Sequence, residues 1–570
     1  MLRNIKNFFS IFKPFKGKIL ILFLLVQITS LLESFGILML LPLFEYMSDS
    51  SISNDISKYI FSLVGFFVIK DDIFITTIAL ILALFLIKNI LNIYMTAYGA
   101  RLVLDIRVDW MLKIFNKYLN PQDEYVMSTK HGTLLNNLLK EPIRATKGID
   151  LAINYISKLF VLLYLITALF FVNVLVTTYI LVSIFFLVVI FYLLTSKFSS
   201  GYGVEQINLN QKITVIATES LSAIRQIMVF SLSKKIISKW SKELFELNKI
   251  NVRFRVITVL PRSIIEIIIV IGVVIFAFYS EKSTSNNIED ILPLIVIYLM
   301  AGQKIFSSTS FLIANKMKLL ATYPSIELVN EQIKQKNTIK SKGLKFTSFS
   351  DDIRFKDLSF GYKKKPLVFD SVNIVIPKKG ITAFVGESGQ GKSTLTDLVM
   401  GFLSPNSGAV LINGISLHHY DAYSWKDNIG YVTQDVFLFN GTIKDNILIG
   451  KSNASTTDII QSAVESNIDD FINNLPDGYN TKIGDKGYGL SGGQKQRIAI
   501  SRIMIKKPKL IIFDEATSSL DKVTANRIKD VLKKYSLTNP VIVISHDLNF
   551  IKNCDTIYKI QDNDIKQHFI

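Results

Sequence analysis

The sequence predicts two domains built for different solvents. A bundle of six membrane-spanning helices occupies residues 1–325, a polar linker 326–350, and an α/β domain with a largely parallel sheet 351–570. Three observations carry this. First, 570 residues exceed what one hydrophobic core organises. Second, hydrophobic residues make up 49% and charged residues 19%, and the apolar ones collect in long runs ahead of residue 325. Third, the net charge of +18 is uneven: residues 341–570 hold 29 Lys+Arg against 24 Asp+Glu, and the first 340 hold 35 against 22. The apolar half is therefore the basic half. That suits a membrane domain against anionic lipid, and no nucleic-acid partner is expected. The single cysteine, Cys554, excludes a disulfide framework and a Cys-rich zinc site.

The runs come in order. Residues 19–44 contain one charge, Glu33, and residues 73–97 one, Lys88. Residues 151–194 are 44 residues with only Lys158 charged. At ~1.5 Å per residue that is about 66 Å of helix, roughly twice a bilayer core, so it reads as two crossings with a turn near Asn173. Residues 256–279 and 291–313 complete six spans. The first run is too long for a signal-peptide core and no small-residue cleavage site follows it.

Loop charge sets the orientation. Arg3, Lys6, Lys13, Lys16 and Lys18 precede the first span with no acid among them, which puts the N-terminus in the cytoplasm of an inner (plasma) membrane protein. The acid-rich loop 47–72 then lies outside. The inner segments, about 98–150 and 196–256, are long, basic and helix-patterned, so the helices should project well past the membrane. From residue 353, short β-branched runs (372–376, 381–385, 510–513, 541–544) alternate with helical stretches, the pattern of a parallel α/β sheet.

The motifs of this second half suit a nucleotide. Gly386-Glu387-Ser388-Gly389-Gln390-Gly391-Lys392-Ser393-Thr394 follows a strand and opens a helix. Its glycines let backbone N–H groups close round phosphates, Lys392 would meet the β- and γ-phosphates, and Ser393 the Mg²⁺. The apolar strand 510–513 ends in Asp514-Glu515; Asp514 would hold Mg²⁺, and Glu515 would polarise an attacking water. Leu490-Ser491-Gly492-Gly493-Gln494 precedes a basic helix and forms a second anion cradle.

The order of phosphate loop, residues 490–494, Asp514-Glu515 and Ser545-His546 resembles an ATP-binding cassette (ABC) domain over about 353–565. The resemblance implies further roles. Tyr362 would stack on adenine. Gln434 would sense Mg²⁺ and contact the membrane domain. Residues 490–494 would close over a partner's ATP, Ser518-Ser519-Leu520-Asp521 would couple the two sites, and His546 would hold the γ-phosphate. Segments near 118–130 and 219–230 would dock on the cassettes. Two positions depart from the pattern: Gln390 stands where a small residue or cysteine is common, and Asp547 where many exporters have arginine. With its six helices the chain resembles a type IV ABC exporter half-transporter. Two copies, or a heterodimer, would then be needed to enclose ATP and Mg²⁺.

Charges within spans are costly and require an account. Lys88, Arg262, Lys304, Glu33 and Glu266 lie in spans; Arg262 and Glu266, four apart, have the spacing of a simple helical pair. Glu33-Ser34-Phe35, Lys88-Asn89-Ile90-Leu91-Asn92 and Pro261-Arg262 with Glu266 are similar to the bacterial lipid-linked oligosaccharide flippase of protein N-glycosylation. That resemblance implies that Lys88, Arg262 and Lys304 line a cavity for a pyrophosphate head group, and that residues 59–69 form an external helix at the membrane surface. Three readings stand: a flippase or exporter of an anionic lipid-linked saccharide; an exporter of a peptide, bacteriocin or drug-like molecule; and a nucleotide-gated channel or regulator. No cysteine-protease domain precedes the first span, which disfavours a leader-cleaving peptide exporter.

Overall fold

The computed structural model describes residues 13–47, 59, 62, 73–119, 126, 129–282, 288–334, 343–362, 366–387, 389–484, 488–515, 521–545 and 551–568. The chain forms two compact units that divide after Lys336.

The first unit is helical. Its elements are α1 (Lys16–Leu38), α2 (Leu40–Met47), α3 (Ile73–Tyr118), α4 (His131–Leu135), α5 (Glu141–Val172), α6 (Val174–Ser222), α7 (Ile224–Val229), α8 (Ser233–Lys282) and α9 (Ile288–Lys334). Among the described residues, Lys16–Leu43, Phe74–Tyr118 and His131–Val172 are long and apolar enough to cross a membrane. The other three predicted spans fall within α6, α8 and α9, of 49, 50 and 47 residues. At ~1.5 Å per residue these helices exceed 70 Å, more than twice a bilayer core, so they extend far beyond it as loop composition predicted. Apolar side chains that would face lipid form a stripe on α3, where Leu82, Leu86, Ile90 and Ile93 recur at helical spacing and are 60–69% exposed.

The turn predicted near Asn173 is there. Asn173 is extended (φ −157°, ψ 116°) between α5 and α6. The Thr177 hydroxyl donates to Leu169 O (2.9 Å) and Asn173 O (2.7 Å), and the Tyr298 hydroxyl of α9 donates to Asn173 O at 3.2 Å. Both carbonyls also accept backbone N–H bonds, Leu169 O from Asn173 and Asn173 O from Thr177, so the side chains reinforce a turn whose backbone is already paired. Elsewhere the bundle packs through small residues: a Cβ on Gly203 of α6 would come within 2.3 Å of Ala321 O on α9.

One boundary differs from the sequence reading. Helix α9 runs to Lys334, so residues 326–334 of the expected linker are helical. Ile326 and Val329 are buried with Ile106, Trp110 and Ala145. At the other end, Phe346 lies in the core of the second unit against Trp425 (ring centroids 4.9 Å apart). The polar composition suggested a solvated linker; the buried Ile326 and Val329 at its start continue the helix. Of the two expected docking segments, 219–230 contains the short helix α7, with no buried residue and Val229 79% exposed. Most of 118–130, and all of the external-helix segment 59–69 except Tyr59 and Ser62, lie outside the described residues.

The second unit holds two main sheets. Strands β1 (Ile353–Gly361), β2 (Leu367–Ile376), β4 (Ser407–Ile412) and β5 (Ile415–Ser416) form an antiparallel sheet in the order β2-β1-β4-β5. Strands β3 (Gly380–Val385), β6 (Ile429–Val432), β9 (Leu510–Asp514), β10 (Pro540–Ile544), β11 (Thr556–Gln561) and β12 (Asp564–Gln567) form a second sheet in the order β12-β11-β3-β10-β9-β6. Only the β11–β12 pair in it is antiparallel. Its central strands β9 and β10 are buried almost throughout, which explains their unbroken apolar runs. A small β7 (Gly441–Thr442)–β8 (Lys482–Ile483) pair completes the strands among the described residues. The helices are α10 (Lys392–Val399), α11 (Ala422–Asp427), α12 (Ile443–Leu448), α13 (Thr456–Glu465), α14 (Asp469–Asn473), α15 (Gly492–Lys506) and α16 (Lys522–Ser536).

Candidate functional site

Parallel strands end together, and here the motif loops leave one edge of one sheet. Ile544 at the end of β10 is in register with Phe384 of β3 on one side and Asp514 of β9 on the other. The phosphate loop, Asp514-Glu515 and Ser545 therefore emerge side by side, and Gln434 follows β6 on the next strand. Ligands of open α/β sheets bind at this carboxyl edge.

The phosphate loop is held by its own side chains. Gly391 (φ 102°) caps α10 in a left-handed conformation, and a Cβ there would lie 2.6 Å from Val368 Cγ1. Only glycine meets both demands. Lys392 is 9% exposed and its ammonium donates to Gly386 O at 2.7 Å, so it spans the loop. The Gln390 amide oxygen accepts from the Glu387 N–H at 3.1 Å. The residue that departs from the usual pattern thus serves to close the loop. Ser393 is exposed in the first turn of α10. Ser388 lies outside the described residues, as do His546 and residues 516–520.

The carboxylates have distinct surroundings. Burial raises the Asp514 carboxyl above its ordinary range and the Glu515 charge adds to that, against the Tyr431 hydroxyl, which donates to Asp514 Oδ2 at 3.3 Å, and Lys392. A half-buried carboxylate whose charge is disfavoured is a site that a divalent cation would compensate, so these residues fit Mg²⁺. Glu515 has φ 52°, its N–H bonded to Ile544 O at 2.9 Å, and Oε2 accepts from Gln434 Nε2 at 2.9 Å. A left-handed non-glycine residue is strained, and the ladder bond to β10 holds it there.

The remaining predicted residues sit on helix starts and a strand end. Ser491 caps α15 in a capping box: its hydroxyl accepts from Gln494 N–H at 3.3 Å and the Gln494 amide oxygen accepts from Ser491 N–H at 2.8 Å. Ser491 and Gly492 are exposed, and Gly493 is partly so. Asp521 caps α16 by accepting from Thr524 N–H at 3.0 Å, which, with the Arg497 charge, holds its carboxyl below the usual range. Tyr362 follows β1, and its hydroxyl lies 3.2 Å from Thr394 Oγ1 of α10.

In the membrane unit the three predicted cations do not share one environment. Arg262 Nε pairs with Glu266 Oε1 at 2.9 Å on α8. Both border a cavity of about 850 Å³ between α8 and α9, lined also by Thr258, Gln303, Ser307 and Phe311. Lys304, on the same helix as Gln303, instead contacts Glu33 of α1, as does Lys158 of α5 at 3.6 Å. Lys88 of α3 holds its ammonium 5.7 Å from the Phe85 ring centroid. The Arg262–Glu266 pair was readable from its spacing; the pairing of Glu33 with residues 125 and 271 positions away was not.

A family model described as the ABC transporter transmembrane region matches residues 19–309, and one described as ABC transporter matches residues 369–518. The chain belongs to the ABC transporter family. An uncharacterized ABC transporter ATP-binding protein, y4gM of Sinorhizobium fredii, is 34% identical over 296 residues, 52% of this chain and 50% of that one. YgaD of Bacillus subtilis, a putative multidrug export ATP-binding/permease protein, is 34% identical over 302 residues, 49% and 52% of the two chains. These matches span about half the length of the relatives. The structure of a bacterial Atm1-family ABC exporter with ATP bound superposes with a TM-score of 0.77 over 96% of this chain and 95% of that one, at 21% identity, and so shares the fold.

As an ABC cassette, the second unit uses ATP with Mg²⁺. Lys392, the phosphate-loop amides, Ser393 and Asp514 would hold them, and the bound metal would supply charge for the phosphate oxygens. Two neighbours escaped the sequence reading. Tyr431 sits mid-strand in an apolar run and carries no motif. Asp397 lies on α10, five residues beyond Lys392, and burial, with the Asp514 charge, pushes its carboxyl up to about 6. A raised carboxyl contributes stability that is complete below its unfolded value near 3.8 and lost as pH rises through about 6. Asp397→Asn should therefore melt a few degrees above the parent at pH 7.5 in EDTA without nucleotide, on the order of what a small free-energy change produces, with the gap closing towards pH 5. A gap independent of pH, read by thermal unfolding, would remove the titration of Asp397 from the account.

Proposed function

We propose that the chain is half of an ATP-driven exporter that moves an amphiphile with an anionic head group, a lipid-linked oligosaccharide or related lipid, out of the cytoplasmic side of the inner membrane. The observation that carries this is the two-faced cavity between α8 and α9. Arg262, Glu266, Gln303 and Ser307 offer charge and hydrogen bonds, while Met300 and Phe311 offer apolar surface. An amphiphile satisfies both faces of the cavity.

Pairing with a second copy, or with a related chain, is part of the same reading. The exposed start of α15 is an anion-binding helix terminus without a phosphate loop of its own, and a partner's ATP would complete it. The uncovered apolar face of α7 is read as the segment that receives a cassette's motion. The basic N-terminal stretch supports a cytoplasmic N-terminus and cassette. The second reading, export of a drug-like molecule or peptide, is supported by the apolar side of the cavity and by the description of YgaD.

The test is reconstitution of the full chain in liposomes, with ATP hydrolysis and transbilayer movement measured together. A polyprenyl-pyrophosphate saccharide should stimulate hydrolysis and cross the bilayer in an ATP-dependent way. Stimulation only by hydrophobic cations or peptides would replace the first reading with the second.

A further inference from the structure

Three helices bring one carboxylate and two ammonium groups together within the membrane unit, and a third ammonium on a fourth helix acts on the carboxylate from further off. Glu33 of α1 is 14% exposed. Lys304 of α9 contacts its Oε1, and Lys158 of α5 lies 3.6 Å from that same oxygen. Lys88 of α3 is near enough to act on the Glu33 charge. From the helix rise, Lys158, Lys88 and Lys304 stand about 21–24 Å from the ends of their helices at Val172, Ile73 and Ile288, well inside a hydrocarbon core.

The charges do not balance. One carboxylate against three ammonium groups leaves a surplus of two positive charges in a low-dielectric region, where uncompensated charge is expensive. Both lysines that touch Glu33 converge on one oxygen, and a phosphate oxygen could take that position. Glu33 and Lys158 also lie apart from the Arg262–Glu266 pair, which borders the cavity and is self-neutral.

We propose that Glu33 is a resident counter-ion that holds Lys158 and Lys304 until a multiply charged anionic head group displaces it, and that Lys158 is a substrate-binding residue. This rests on the anionic-amphiphile reading above. It adds a charge requirement: a pyrophosphate, with two or more negative charges, offers Lys158 and Lys304 more charge than the Glu33 carboxylate does, whereas a singly charged head group meets Glu33 as an equal competitor for the same ammonium groups. A neutral lipid gains nothing at this place.

The experiment uses the full chain in liposomes and three probes on one polyprenol: the pyrophosphate, the methyl phosphodiester with a single charge, and the free alcohol. The readout is the half-maximal concentration for stimulating ATP hydrolysis. The unaltered chain should respond to pyrophosphate at about 10-fold lower concentration than to the diester, as expected for one further charge-assisted hydrogen bond, and not to the alcohol. Lys158→Ala should raise the pyrophosphate value about 10-fold and the diester value less, and Lys158→Arg should restore most of it. Glu33→Gln, which removes the competitor but keeps the shape, should shrink the pyrophosphate-to-diester ratio by making the diester effective. If both variants are monodisperse, bind ATP normally and keep the parental ratio, the cluster is a structural ion pair and the inference is wrong while the substrate reading stands. If no anionic probe stimulates the unaltered chain, the substrate reading fails and the inference falls with it.

Discussion

Glu515→Gln should leave ATP binding intact and lower steady-state hydrolysis by about 10²-fold or more, the effect of removing a positioned general base. Its carboxylate oxygen accepts from the Gln434 amide at 2.9 Å, and its backbone is tied to β10 through Ile544 O. Glutamine keeps the size and the backbone tether but has no basic oxygen for a water proton. Nucleotide should then remain trapped in a stable pair of chains, visible by size-exclusion chromatography with ATP. Lys392→Ala gives the contrasting result, weaker nucleotide binding, because it removes the cation that spans the phosphate loop. Normal turnover in Glu515→Gln would move the base elsewhere at this sheet edge.

Arg262→Ala combined with Lys304→Ala should abolish substrate-stimulated hydrolysis and lipid movement for an anionic lipid-linked probe. The two cations differ in how they are held. The Arg262–Glu266 pair is 76% and 62% exposed and borders the cavity, so a ligand there can reach the guanidinium. Lys304 is committed to a mostly buried Glu33 and is released only in exchange for another anion. Arg262→Lys should lose less than alanine, since charge survives while the two-pronged geometry does not. Transport at the parental rate in the double variant would reduce both residues to structural pairs and favour the peptide or drug reading.

Much of the nucleotide site was legible because its chemistry is local in sequence. The phosphate loop needs glycines next to one another, and Asp514-Glu515 needs only a strand end. The turn at Asn173 was legible because bilayer thickness limits a span. What stayed hidden depends on contacts between distant residues. Ile326 and Val329 carry α9 into the stretch expected as linker because they are buried beside Trp110 and Ala145. Gln390 looked like an anomaly until its amide was seen bonded to Glu387 N–H. Lys158 appeared as an isolated charge in an apolar run, and its meaning depends on Glu33, which only folding brings near it.

Pro261 has a mechanical consequence. It lies inside α8 and cannot supply the N–H that would bond to residue 257, so the 50-residue rod has one compliant point. The arm back to Ser233 is about 42 Å long and the arm on to Lys282 about 32 Å, at ~1.5 Å per residue. A flexure of ~10° at that fulcrum would swing Ser233 through about 7 Å, yet the adjoining Arg262 backbone would travel well under 1 Å. The Arg262 guanidinium beside the cavity thus sits at the node of the motion, nearly still while both ends of the rod sweep.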